Sequence, residues 1–136
     1  MSTTCPECSG PTVIRSVPTG VRGLLADDPE TVRVCEVCLL AQPAPGAALT
    51  PGWDPAAVNG ALPTDPDAAL ALSFLVTFLS SLALHRAEIE ETVVYLEEAH
   101  GVDPLLALDR LKTTPQLQPA IDLSRRREQL AQLLSR

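Results

Sequence analysis

Lysine is nearly missing from this chain: of ten basic residues nine are arginine, and Lys112 stands alone. Set against seventeen Asp and Glu, they leave a formal charge of −7. The deficit is spread out, with three arginines against five carboxylates in residues 1–45 and seven basic against twelve acidic residues beyond. Binding to DNA or RNA by counterion release needs clustered Lys and Arg, so a nucleic-acid partner is not favoured. An acidic, lysine-poor surface suits a high-salt cytoplasm, because carboxylates hold water and ions where lysine stems do not. Aromatic residues are equally scarce, at 3%, and residues 1–45 contain none. The core is therefore expected to be aliphatic. There is no phosphate-cradling glycine loop, no G-x-S-x-G, no H-E-x-x-H and no dinucleotide fingerprint. On that ground we expect a protein that is not an enzyme.

What the chain does contain is two thiol pairs: Cys5-Pro6-Glu7-Cys8 and, 26 residues further on, Cys35-Glu36-Val37-Cys38. Two C-x-x-C turns in one short segment read as a tetrahedral four-thiolate site, most often for zinc. Rubredoxin-type iron uses similar turns but leans on an aromatic core, which is lacking here. A redox pair wants its C-x-x-C at a helix start, whereas Pro11 follows the first pair closely. Disulfides want an oxidising compartment, and no signal peptide precedes Cys5, so a cytoplasmic location is expected. Four thiolates fill every zinc position, which favours a closed structural site over a catalytic one. Gly10 is expected to supply the positive φ of the first turn.

Around the thiols, Thr12 to Val17 and Thr31 to Val34 read as short strands, with a helical turn expected at Val21 to Leu25. Two or three strands clamped by metal make a zinc ribbon. A unit this small buries too little apolar area to fold alone, and a structural zinc site supplies about 10 to 16 kcal/mol. The two thiol turns, the Arg-over-Lys composition and the helical tail, including Asp103-Pro104-Leu105-Leu106-Ala107-Leu108-Asp109-Arg110-Leu111, resemble an uncharacterised family of small zinc-ribbon proteins from halophilic archaea. Ser9 and Leu39 follow the thiol pairs where glycine is common. The resemblance implies metal ligation and no catalytic residue.

The expected fold class is α+β: a zinc ribbon over residues 1–42, a Pro/Gly-rich linker over 43–65 and a small all-α bundle over 66–136. Residues 1–4 form a polar lead, and Pro43, Pro45, Gly46, Pro51, Gly52, Pro55, Gly60 and Pro63 keep the linker irregular. Trp53 is expected to pin that linker, with an exposed partner anchor as its sharper role. Thr64-Asp65-Pro66 opens a helix. The uncharged run Ala68 to Leu84 spans about 25 Å as a helix, short of a hydrocarbon core of about 30 Å, so it is expected to be buried, not membrane-spanning. Ser73, Thr77 and Ser80 would let another helix approach. Residues 86–100 continue as an amphipathic helix with Ile89, Val93 and Leu96 inward, reached by a reversal near Leu84 to Arg86 rather than as one rod. Gly101 stops it. Short helices then follow at Leu105 to Lys112 and Leu123 to Ser135, the latter burying Leu123, Leu130, Leu133 and Leu134.

Other polar groups have ordinary explanations. Glu88, Glu90, Glu91, Glu97 and Glu98 read as a solvated face, and His85 and His100 as structural. Arg125, Arg126 and Arg127 could grip a phosphate or an acidic patch, but Asp122 with Arg126 and Arg125 with Glu128 sit at helical pairing distances, so a self-neutralised surface is expected. The chain is thus expected to be a zinc-ribbon adapter for a protein partner or a second copy of itself. A nucleic-acid ribbon using Arg15, Arg22 and Arg33, and a thiol redox sensor, are the alternatives.

Overall fold

In the computed structural model, residues 4–55 and 62–135 are described; the lead at 1–3 and the linker around Gly60 lie outside them. Among these residues are three strands, β1 (Thr12–Ser16), β2 (Thr31–Cys35) and β3 (Ala41–Pro43), and four helices, α1 (Pro66–Leu79), α2 (Arg86–His100), α3 (Pro104–Lys112) and α4 (Leu123–Leu133). The fold is α+β, an N-terminal antiparallel sheet of order β1-β2-β3 followed by helices. Val13 pairs with Val34 and Val34 with Ala41, so one face of the sheet is apolar and turns inward.

Helix α1 is the axle. Eleven of its fourteen residues are buried, the pattern of a helix packed on all sides. Asp65 caps it by accepting from the Asp67 and Ala68 N–H groups, with Pro66 in the first turn. It ends at Leu79, five residues before the uncharged run does, because the Ser80 hydroxyl bonds back to the Thr77 carbonyl at 2.7 Å. Such back-bonding competes with helix continuation. The chain reverses through Ser80–His85, and α2 packs back on α1. No helix among the described residues is long and apolar enough to cross a membrane.

Helix α2 buries Ile89, Thr92, Val93 and Leu96 and ends at Gly101, whose φ of 63° and the Val102 N–H bond to the Leu96 carbonyl close it. Asp103 and Asp122 cap α3 and α4. Helix α4 stops at Leu133, so Leu133 and Leu134 are only half-buried, and Ala131 joins Leu123 and Leu130 in their place. The early helical turn falls at Thr19–Val21, ahead of where it was expected, and buries Val21.

The core does not divide at the linker. One contiguous apolar cluster runs from Val13, Val32 and Leu39 through Phe74, Leu75 and Leu79 to Leu108 and Leu130. Sheet and helices therefore share a single interior. β3 extends to Pro43, Thr50 brackets β1 by bonding both the N–H and the carbonyl of Ile14, and Trp53 lies partly buried on the core.

Candidate metal centre

The two C-x-x-C segments fold as copies of one turn. In the first, the Cys5 N–H donates to the Gly10 carbonyl at 2.8 Å and the Ser9 N–H to the Cys5 carbonyl at 2.9 Å. In the second, Cys35 donates to Leu40 at 3.1 Å and Leu39 to Cys35 at 3.1 Å. Backbone N–H groups then point at sulfur: Glu7 at Cys5 Sγ from 3.4 Å, and Val37 and Cys38 at Cys35 Sγ from 3.4 and 3.3 Å. Donors aimed this way stabilise thiolate.

Closing each turn takes one left-handed residue. Those residues are Ser9, φ 64°, and Leu39, φ 66°, where glycine would be unstrained. The positive φ thus sits at Ser9 and not at Gly10. Gly10 is needed for a different reason, since a Cβ there would lie 2.9 Å from Val37 Cγ2 and 3.2 Å from Cys35 Sγ. The knuckles approach too closely to admit a side chain.

This approach brings four sulfurs together. Cys5 Sγ lies 3.7 Å from Cys38 Sγ and Cys8 Sγ 3.4 Å from Cys35 Sγ, and all four are within 4.8 Å of one another. They are free thiols. Four sulfurs placed tetrahedrally at about 2.3 Å from one ion would be about 3.8 Å apart, so the set fits a single metal ion. Cys5, Cys35 and Cys38 are buried, and Cys8 is exposed. Burial pushes the Cys38 and Cys35 thiols up, whereas the Gly10 backbone and then the Cys35 side chain hold Cys8 down. Ionising the buried pair needs a cation to offset the lost solvation.

The second knuckle is built into the helical body. Ser73 donates to the Leu39 carbonyl at 2.5 Å, and Thr77 Oγ1 accepts from the Ala41 N–H at 2.9 Å. From the other side, the loop between α3 and α4 bonds Gln118 N–H to the Val37 carbonyl at 2.9 Å and Ala120 N–H to the Cys38 carbonyl at 3.4 Å. Ser73 and Thr77 therefore grip the sheet, rather than opening a face for another helix. Two hydroxyls four apart on an otherwise apolar helix were the visible signal, because buried hydroxyls require partners.

The remaining candidates stand elsewhere. Among the described residues no other group of three or more His, Cys, Asp or Glu gathers as a metal site, so the five glutamates of α2 form no such cluster. His100 sits with Nδ1 3.9 Å from Asp65 Oδ2 and its ring edge-on to Tyr95. His85 lies against Phe78. Arg127 pairs with Asp109 of α3 through two bonds at 3.1 and 3.2 Å, and Arg126 reaches Gln129 and the Ser80 carbonyl. Asp122, expected to neutralise an arginine side chain, caps the Arg125 N–H instead.

A family model described as a family of unknown function (DUF6276) matches residues 4–134. No curated protein and no solved structure matches the chain.

Proposed function

We propose that this chain, which belongs to that family of unknown function, is a zinc-ribbon adapter: Cys5, Cys8, Cys35 and Cys38 hold one structural zinc, and the helices meet a protein partner. The observation that carries the reading is the four-thiol cluster, with its second knuckle hydrogen-bonded to both α1 and the α3–α4 loop. Four thiolates suit zinc or iron; zinc is favoured because residues 1–45, which carry all four thiols, contain no Phe, Tyr or Trp from which a rubredoxin-type aromatic core could be built. When bound, the ion would cross-link the two knuckles and fix the sheet against α1. Four sulfurs leave no position for water, which supports a role without catalysis.

Charge supports a protein partner over nucleic acid. Arg22 is paired with Asp28 at 3.1 Å, and the Arg15 guanidinium lies over the Trp53 ring, 5.6 Å from its centroid. Two of the three arginines near the sheet are thus engaged within the chain. The acidic, lysine-poor composition supports a cytoplasm of high salt, the setting of the halophilic proteins it resembles.

Elemental analysis of the purified protein tests the metal, with one zinc per chain expected and none contradicting it. The adapter role is tested by crosslinking in the source cells and sizing in their own salt. A stoichiometric protein partner is expected, and a monomer alone would overturn it.

A further inference from the structure

Helix α2 has an outer face that none of the described residues covers. Ala87, Val94 and Ala99 are exposed along it, Val94 at 49%, and together with Tyr95 they floor a groove of about 530 Å³. That floor is fixed in place. The Tyr95 ring lies against Gly20, where a Cβ would collide with Cδ1, and meets His100 edge-on at 4.9 Å between centroids. The groove therefore forms where the turn preceding β2 meets α2, and a ligand would find it preformed.

Glu90, Glu91 and Glu98 rim the groove. Glu90 reaches back to Arg86 at 3.5 Å, while among the described residues neither Glu91 nor Glu98 has an ion-pair partner. An apolar floor between carboxylates selects its occupant by charge. A second copy is a poor fit: each copy carries −7, and an antiparallel pairing that lays Ala87 on the other copy's Val94 sets Glu90 against the other copy's Glu91. An anionic lipid surface is repelled for the same reason. What matches is a helix with an apolar stripe flanked by cations.

We infer that the α2 groove docks an amphipathic basic helix of a partner protein, its aliphatic side chains on Val94, Ala87 and Tyr95 and its Arg or Lys side chains over Glu91 and Glu98. This rests on the adapter reading and supplies its surface and the chemistry of its partner.

The test is an NMR titration of the isotope-labelled, zinc-loaded chain with two synthetic amphipathic helices that share a Leu face, one carrying Arg on its other face and the other Glu. The Arg peptide is expected to shift the amides of Ala87, Val94, Tyr95 and Glu98, and the Glu peptide to leave them in place. Glu91→Lys with Glu98→Lys should weaken the Arg peptide roughly tenfold, and Val94→Asp should weaken it without unfolding an exposed position. Equal binding of both peptides, or shifts mapping away from α2, would overturn the groove while leaving an adapter that uses another face. No shift with either peptide overturns it as well, the adapter reading then standing or falling on its own crosslinking result. Broadening of α2 signals with protein concentration alone would assign the groove to a second copy, and so against the inference.

Discussion

The two cysteine knuckles have the same backbone and different surroundings. Residues 5–10 and 35–40 close through matching hydrogen bonds and a left-handed residue at the same place. The first lies at the edge of the molecule, with Cys8 and Ser9 exposed. The second is enclosed, with Leu39 buried in the shared core and its carbonyl held by Ser73. A metal bound between them would join an exposed element to the centre of the fold. The first turn would serve only to ligate, whereas the second is anchored in the fold whether or not it ligates.

The largest expected difference comes from removing one thiol on each side. Cys38→Ser should abolish metal binding and free the α3–α4 loop, seen as fast hydrogen exchange at the Gln118 amide. Cys8→Ser, at the exposed corner, should keep a weakened three-thiolate site and a protected Gln118. Equal loss of protection in both variants would break the distinction.

Next come the left-handed positions. Leu39→Gly relieves the φ strain but empties a core site, so it should destabilise by about 2–3 kcal/mol in denaturant unfolding followed by the single Trp53. Ser73→Ala leaves the buried Leu39 carbonyl without its donor and should cost about 1–2 kcal/mol. Ser9→Gly, at the exposed equivalent, loses no packing and should stabilise by about 0.5–1 kcal/mol. Opposite signs at Ser9 and Leu39 are the sharpest form of the contrast, and a gain at both would show that Leu39 contributes nothing beyond its backbone.

Much of this architecture is legible in the residues. The thiol spacing marks Cys5, Cys8, Cys35 and Cys38, and β-branched runs mark β1 and β2. Asp65-Pro66, Asp103-Pro104 and Gly101 mark helix ends, because caps are local chemistry written in adjacent residues. The joint between sheet and helices is not legible. Its bonds run from Ser73 to Leu39 and from Gln118 to Val37, across 34 and 81 residues of chain, and nothing local encodes which carbonyl a buried serine will find. The left-handed turns are hidden for a related reason. Backbone closure requires a φ, not a residue type, and at Leu39 core burial outweighs the strain that glycine would avoid. The partners of the α4 arginines are only partly legible, because helical spacing predicts neighbours on one helix: Glu128 does pair with an arginine of the cluster, Arg127 at 3.7 Å, but Arg127 also pairs with Asp109 on α3.

The central claim is that one ion is shared by both knuckles. X-ray absorption at the zinc edge of the purified protein tests it directly. The account predicts a single shell of four sulfurs at about 2.3 Å, whereas a first shell containing nitrogen or oxygen, or protein that folds fully with no metal bound, would contradict it.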